Sequence, residues 1–129
     1  MTISHPHRSL LVVDDDRDTA DSLALLFEVH GFDVRAAYTA GEAVASMAAR
    51  PAAAVVADIK LGGEDGCDLA DVLLGGPWPR PFLVAVTGMA GQSERCQEAG
   101  FDCVFTKPVS PTLLMAVLDA RLPQRRGTA

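Results

Sequence analysis

Three consecutive carboxylates, Asp14, Asp15 and Asp16, follow the apolar run from Leu10 to Val13. The run is too short for a helix and suits a strand that is buried on both faces. Because like charges one residue apart repel each other, acids at the mouth of a buried strand require a cation nearby. The simpler alternative is that Asp16 caps the helix that follows and that its two neighbours are solvated loop acids.

Asp58, Thr87 and Lys107 also follow short apolar runs, at points where a strand is predicted to stop. A carboxylate can attack phosphorus as a nucleophile, and a hydroxyl can hydrogen-bond a phosphoryl oxygen. An ammonium group can neutralise part of the charge that phosphoryl transfer develops. These side chain types, together with the acids at 14–16, indicate a site for a metal ion and a phosphoryl group.

The elements that must position these residues alternate regularly along the chain. Five apolar runs alternate with five segments whose apolar residues recur at helical spacing. This alternation predicts a parallel sheet with helices on both faces, and right-handed crossovers then give a doubly wound α/β fold. In such a sheet the site lies beyond the carboxyl ends of the strands, where the strand order reverses. The polar residues described above all lie at those ends.

If Asp14, Asp15 and Asp58 converge, a hard divalent cation suits them better than water alone. Mg²⁺ takes oxygen ligands at about 2.0–2.1 Å and usually keeps waters and a substrate phosphate in its coordination shell. Asp58, which stands alone at the end of a central strand, is then the candidate nucleophile that forms an aspartyl phosphate. Phosphoryl transfer needs in-line positioning and charge neutralisation, to which Lys107 and Thr87 could contribute.

From about residue 10 to residue 122, the chain resembles the receiver domain of two-component response regulators. The matching motifs fall in order: an acid pair after the first strand, an Asp-x-x-Leu-x-x-x-Asp-Gly loop, a threonine after the fourth strand and a Lys-Pro pair after the fifth. In this chain they are Asp14-Asp15, Asp58 to Gly66, Thr87 and Lys107-Pro108. The resemblance implies a flavodoxin-like (βα)5 fold whose five-stranded parallel sheet has the order 2-1-3-4-5.

The resemblance also implies a function. The chain is expected to be the phosphoacceptor module of a two-component phosphorelay, in which a histidine kinase or a histidine phosphotransfer protein transfers a phosphoryl group to Asp58. Small donors such as acetyl phosphate often serve in this family. Phosphorylation would change contacts with a downstream protein, at a surface formed by the last helix and strand. Such a domain assists its own phosphorylation and dephosphorylation and is not otherwise an enzyme.

The same resemblance implies a cofactor and its ligands. Mg²⁺, for which Mn²⁺ can substitute, would be bound directly by Asp15, Asp58 and the backbone carbonyl of Lys60, while Asp14 would hold a water on the metal. Members of the family also tend to have a cis peptide bond at the position of Lys107-Pro108.

Three positions depart from the pattern of the family. Gly62 stands where proline is usual, which predicts a more mobile loop. Val104 stands three residues before Lys107, where tyrosine or phenylalanine is common, so a rotamer switch of an aromatic ring cannot operate there. Lys60, two residues after the acceptor, occupies a position that tunes the lifetime of the phosphoryl group, and we expect it to slow autodephosphorylation. Asp65 is predicted to form a turn and a helix cap rather than a ligand.

The bulk properties fit one domain of 129 residues, with a flexible leader at 1–8, the domain at 9–122 and a polar tail at 123–129. The net charge of −6 argues against non-specific binding to nucleic acid or anionic membranes. Three cysteines without a Cys-x-x-Cys motif indicate core residues in a reducing cytoplasm.

We expect the protein to be a monomer or a weak dimer. No DNA-binding helix pair or catalytic module is evident. We therefore expect either a stand-alone domain that acts through protein contacts or part of a longer chain.

Two other classes of protein fit the sequence less well. A small phosphatase or phosphotransferase with an aspartate nucleophile requires Asp-x-Asp followed two residues later by threonine or valine, and here that place is Asp18. A flavin-binding module on the same strand order requires a first loop rich in serine, threonine and glycine, and three aspartates there would repel the phosphate.

Overall fold

The computed structural model describes residues 8–122, which form seven strands and five helices. In chain order the elements are β1 (Ser9–Val13), α1 (Arg17–Val29), β2 (Asp33–Ala37), α2 (Ala40–Ala49), β3 (Ala54–Asp58), β4 (Lys60–Leu61), β5 (Glu64–Asp65), α3 (Gly66–Gly75), β6 (Phe82–Thr87), α4 (Ser93–Ala99), β7 (Cys103–Thr106) and α5 (Pro111–Arg121). The predicted tail and all of the predicted leader except Arg8 lie outside the described residues.

Five of the strands form one parallel sheet in the order β2-β1-β3-β6-β7. Since β6 and β7 are the fourth and fifth strands of this sheet along the chain, the arrangement is the predicted 2-1-3-4-5 order. The order reverses between β1 and β3, and the carboxyl ends of these two strands carry Asp14 and Asp58. The prediction of a doubly wound α/β fold is therefore confirmed.

The two faces of the sheet carry separate cores because successive side chains of a strand point to opposite faces. Leu11 and Val13 of β1 pack in the core that lies under α2, α3 and α4. Leu10 and Val12 pack in the other core, with α1 and α5. Every residue of β1, β3 and β6 is buried, which explains why these strands appear in the sequence as continuous apolar runs.

Short polar residues and glycine set the ends of the helices. Asp16 precedes α1, and its side chain accepts hydrogen bonds from the backbone N–H groups of Asp18 and Thr19. Gly31 follows the helix with a φ of 94°, a left-handed conformation that favours glycine. Ser110 caps α5, which begins at Pro111, a residue suited to the first turn of a helix.

The segment from Ile59 to Gly66 is not simply the loop that its composition predicts. Lys60–Leu61 and Glu64–Asp65 pair as a short antiparallel hairpin, in which Lys60 lies opposite Asp65. Gly62 has a φ of 62° at the turn, where a residue without a β-carbon adopts the left-handed conformation at little cost. Strand β3, which ends at Asp58, is thus followed by a short hairpin.

Arg8 packs with the domain, whereas the sequence predicts it to lie in the flexible leader. It is buried, its Nη2 lies 2.8 Å from Asp119 Oδ1 on α5, and its guanidinium lies 4.0 Å from the centre of the Phe32 ring. Within residues 8–122, no helix has both the length and the apolar character needed to cross a membrane.

Candidate functional site

Three carboxylates meet at the carboxyl edge of the sheet. Asp14 and Asp15 follow β1, and Asp58 ends the neighbouring strand β3. One oxygen from each of the three lies within 4.8 Å of the others. Asp14 and Asp58 are 5% and 7% exposed, whereas Asp15 is exposed, so the cluster has two buried members and one that faces solvent. The predicted convergence of the three acids is confirmed.

Asp16 has a different role from the three acids of this cluster. Its Oδ1 accepts hydrogen bonds from the N–H groups of Asp18, at 3.1 Å, and Thr19, at 3.4 Å. Its own N–H donates to Asp14 Oδ1 at 2.9 Å. The simpler reading of the acidic run is therefore right for Asp16, which starts α1 and helps to hold the Asp14 carboxylate.

Asp58 is held by two donors, one on each oxygen. Its Oδ1 accepts a hydrogen bond from the backbone N–H of Lys60 at 3.0 Å. Its Oδ2 accepts one from Lys107 Nζ at 2.8 Å, and the same ammonium lies 3.9 Å from Asp14 Oδ2. Lys107 follows β7, so the structure brings both predicted acid sites and the predicted lysine into one constellation.

The electrostatics of the cluster follow from burial and from an excess of negative charge. Burial raises the pKa of Asp14, and the charges of Asp58 and Asp15 add to this effect, although the bond from the Asp16 N–H opposes it. Burial of the Lys107 ammonium acts to lower its pKa. The hydrogen bond to Asp58 and the charges of Asp58 and Asp14 outweigh that burial, so the pKa of Lys107 is raised. Lys107 is therefore a firmly charged cation that faces more than one carboxylate.

Thr87 ends β6 and is 4% exposed, at the same edge of the sheet. Its hydroxyl accepts a hydrogen bond from the Met89 N–H at 3.1 Å and lies 3.3 Å from the Met89 carbonyl oxygen, to which it donates. Its own carbonyl accepts from the Lys107 N–H at 2.8 Å. The structure thus places Thr87 where it was predicted, with its hydroxyl bonded to the loop that follows.

The donor set fits a hard divalent cation. Carboxylate oxygens are the ligands that Mg²⁺ and Ca²⁺ prefer, and three of them converge here. The ammonium of Lys107 compensates only part of the negative charge of Asp58, Asp14 and Asp15, so the cluster can accommodate a further cation. Lys60 stands at the entrance of the hairpin beside Asp58, and its side chain is exposed.

The position of Gly66 requires a residue without a β-carbon, for a reason that the motif alone does not explain. A β-carbon at this position would lie 2.7 Å from the Asp58 carbonyl oxygen and 2.8 Å from Ile59 Cα, both of which are backbone atoms. The Gly66 N–H also donates to the Ile59 carbonyl at 2.6 Å. Asp65 caps α3 through its bond from the Cys67 N–H, at 2.8 Å, as predicted.

Two side chains near the site were not predicted. Glu64 of the hairpin accepts a hydrogen bond from the Ala40 N–H at the start of α2, at 3.1 Å. Arg95 of α4 donates from Nη2 to Asp65 Oδ2. These partners are 24 and 30 residues apart, and no local spacing in the sequence connects them.

The region around Lys107 agrees with one further expectation and shows the surroundings of Val104. The Lys107-Pro108 peptide bond is cis. Val104 lies on β7 opposite Ala85, partly buried against the core under α2, α3 and α4. A short branched side chain therefore stands at the position where the family resemblance implies an aromatic ring.

Comparison with known proteins identifies a family. Residues 10–119 match the family model of the response regulator receiver domain. The response regulator MprA of Mycobacterium tuberculosis is 33% identical over 115 residues, which cover 88% of this chain and 50% of MprA. The chain spans only 29% to 50% of the length of MprA and of the curated regulators ActR, AlgB and RegA, which it also matches.

Solved structures share the fold. The receiver domain of a CheY-like response regulator from Methanospirillum hungatei superposes with a TM-score of 0.79 at 30% identity, over 88% of this chain and 92% of that one. A response regulator from Burkholderia pseudomallei, solved with a phosphorylated aspartic acid, a calcium ion and citrate, gives a TM-score of 0.80 at 27% identity, over 87% of this chain and 66% of that one. The chain therefore belongs to the receiver domain family of two-component response regulators.

Proposed function

We propose that Asp58 is the phosphoacceptor of this receiver domain. The observation that carries the proposal is the position of its carboxylate, which is buried at the switch point of the sheet with Lys107 Nζ at 2.8 Å and Asp14 and Asp15 beside it. A nucleophile held in this way is already oriented, and its neighbours can neutralise the charge of an incoming phosphoryl group.

The reaction consists of one displacement at phosphorus. A carboxylate oxygen of Asp58 attacks, and an acyl phosphate O–P bond forms. The bond from phosphorus to the histidine nitrogen of the donor, or to the acyl oxygen of acetyl phosphate, breaks, and the leaving group departs with the electron pair. Lys107, which now donates to Asp58 Oδ2, can donate to a phosphoryl oxygen from nearly the same position. The Thr87 hydroxyl can do the same once it exchanges its bonds to Met89.

Asp14, Asp15, Asp58 and the backbone carbonyl of Lys60 would hold the divalent cation, which we propose to be Mg²⁺, with Mn²⁺ able to replace it. When bound, the cation would neutralise charge on the carboxylates and on the phosphoryl oxygens. The convergence of three carboxylates beside one ammonium supports this role, because carboxylates that lie close together gain from a nearby cation.

The partners follow from this chemistry. We propose a histidine kinase or a histidine phosphotransfer protein as donor, in the cytoplasm, and a protein that recognises the phosphorylated domain as target. The domain assists its own phosphorylation and dephosphorylation and has no other substrate. The small phosphatase enzyme considered from the sequence is not favoured, because the family match covers residues 10–119 and the acid pattern departs from that class.

Intact-protein mass spectrometry after incubation with Mg²⁺ and acetyl phosphate tests the proposal. One phosphoryl adduct is expected on the wild-type protein and none on Asp58→Asn. Asp68→Asn, which changes an exposed aspartate on α3, is the matched control and should still form the adduct. An adduct that persists in Asp58→Asn, or no adduct with either acetyl phosphate or a phosphorylated histidine donor, would contradict the assignment.

A further inference from the structure

A continuous set of contacts leads from Asp58 to helix α4 without passing through Thr87 or Val104. The first contact joins the acceptor to the hairpin, because the Lys60 N–H donates to Asp58 Oδ1 at 3.0 Å. Lys60 lies directly opposite Asp65 in the hairpin. A change in the charge or position of the Asp58 oxygens therefore acts first on the strand that pairs with Asp65.

Asp65 connects the hairpin to two helices, with one carboxylate oxygen for each. Its Oδ1 accepts from the Cys67 N–H of α3, and its Oδ2 accepts from Arg95 Nη2 of α4. The bond from the Cys67 backbone, helped by Arg95, lowers the pKa of Asp65, so this carboxylate stays charged. A displacement of the hairpin therefore acts directly on the ion pair with Arg95.

Helix α4 is joined to its surroundings near the hairpin by the Arg95–Asp65 ion pair and by a contact between the side chains of Cys96 and Cys67. It has only seven residues, Ser93–Ala99, and Gln92 at its start makes no side chain capping bond. A cavity of about 530 Å³ separates the hairpin from the start of α4, with Gly63, Met89 and Arg95 among its lining residues. The Arg95 side chain spans this space. The buried residue of α4 is Cys96, which anchors the helix in the core whether or not Arg95 is present.

We propose that Arg95 is a positioning residue that couples the state of the Asp58 carboxylate to helix α4 through its ion pair with Asp65. In this chain the ion pair provides a connection where Val104 cannot provide an aromatic switch. The inference rests on the proposed function of Asp58 for its biological meaning, whereas the coupling itself is a property of the described contacts.

The coupling can be measured from backbone amide shifts in ¹⁵N-labelled protein, with each variant compared with its own unoccupied state. Mg²⁺ and beryllofluoride, a phosphoryl mimic, are added to occupy the site. In the wild-type protein we expect shifts at Lys60 and Gly66 and also along Ser93–Ala99. In Arg95→Gln the shifts at Lys60 and Gly66 should remain, while those of α4 should fall at least about twofold. A reduction of about twofold is the lower end of the effect expected when a side chain that carries coupling between two sites is replaced.

Three further variants sharpen this measurement. Asp65→Asn keeps an oxygen for the Cys67 N–H but removes the charge, so it should reduce the α4 response as much as Arg95→Gln, and the double variant should reduce it no further. Arg50→Gln removes an arginine of similar exposure whose carboxylate partner, Asp33, lies on β2, and it should leave the α4 response unchanged. An undiminished α4 response in Arg95→Gln overturns the proposal.

A second experiment tests the coupling independently of the proposed function, because it uses no phosphoryl chemistry. Asp58→Asn removes the same carboxylate charge, and the α4 shifts that it causes are compared in the wild-type and Arg95→Gln backgrounds. Shifts that shrink at least about twofold with Arg95→Gln support the coupling even if no phosphoryl adduct ever forms. Equal shifts in both backgrounds overturn the coupling even if Asp58 is the phosphoacceptor.

Discussion

Lys107 contacts Asp58 across the end of β6, a strand to which neither residue belongs. Its Nζ lies 2.8 Å from Asp58 Oδ2, although β6 separates β3 from β7 in the sheet. The backbone supports this reach, because the Lys107 N–H donates to the carbonyl of Thr87 at the end of β6. The three strand ends are thus joined before any ligand arrives.

Lys107→Met keeps the length of the side chain and removes its charge. A hydrogen bond to a charged group contributes about 1.5–3 kcal/mol, so the rate of adduct formation with acetyl phosphate should fall by about 10- to 100-fold. The initial rate can be followed by intact-protein mass spectrometry, with urea unfolding as a check that the variant is folded. A folded variant with the wild-type rate would contradict the role of this ammonium.

The stability of the protein should depend on pH through Asp14. Its pKa is raised in the folded state, chiefly by burial, so the folded protein binds this proton more tightly than the unfolded chain. The stabilising contribution is complete below pH 3.8, the ordinary pKa of an aspartate, and is lost as the pH rises through the folded pKa. Asp14→Asn should therefore be more stable than the wild-type protein at pH 7 in the absence of metal, by about 1 kcal/mol.

Thermal unfolding across a pH series tests this expectation. The advantage of Asp14→Asn should shrink as the pH falls towards 3.8, because the wild-type side chain then becomes neutral as well. Asparagine can still accept the N–H of Asp16, so the variant loses the charge and keeps that bond. A constant difference between the two proteins over the whole series would argue against Asp14 as its source.

Mg²⁺ should raise the Tm of the wild-type protein, since a ligand that binds only the folded state stabilises it by about 2.7 kcal/mol at 100 times its Kd. Asp15→Asn should lose most of this shift because it removes an exposed member of the carboxylate cluster. Asp16→Asn, at the neighbouring position, is the matched control variant. Because asparagine is also a good N-cap residue, this variant should keep the Mg²⁺-induced rise in Tm. Equal Mg²⁺ shifts in the two variants would exclude Asp15 as a ligand.

Gly66→Ala should destabilise the protein by about 1–3 kcal/mol, as expected when a methyl group is forced against a packed backbone. Its β-carbon would lie 2.7 Å from the Asp58 carbonyl oxygen. Gly63→Ala, in the same hairpin, has no atom within 4 Å of the added carbon and should have little effect. The free energies of unfolding in urea give the comparison.

Lys60→Asn should shorten the lifetime of the phosphorylated protein. The Lys60 side chain is exposed beside Asp58, where it can occupy the path of a water molecule towards phosphorus. Phosphate release from protein freed of donor measures the rate, and Lys60→Arg, which keeps bulk and charge, should resemble the wild type. An unchanged rate of hydrolysis in Lys60→Asn would end this explanation.

Much of the site was predictable because it depends on where buried strands end. The apolar runs before Asp14, Asp58 and Thr87 indicate a parallel sheet, and parallel strands bring their carboxyl ends to one edge. The pairing of Arg95 with Asp65 was not predictable in this way. Long exposed side chains have many rotamers of similar energy, and their partners depend on the three-dimensional placement of separate helices.

The hairpin after β3 shows the same limit on a smaller scale. Its glycines indicate a turn, but strands of two residues leave no periodic pattern in a sequence. The bonds of Thr87 were also not predictable, because a threonine at the end of a strand can donate forward into its own loop or across to a neighbouring strand.

The two bonds between the Thr87 hydroxyl and the Met89 backbone have a consequence for how readily the domain responds. A phosphoryl oxygen on Asp58 would have to compete with the Met89 carbonyl for the one proton of that hydroxyl. Under the proposed role of Asp58, the resting loop would set a threshold for the engagement of Thr87, and substitutions at 88–91 would raise or lower it. The loop after β6 would then tune the response of the domain without any change to the three acids.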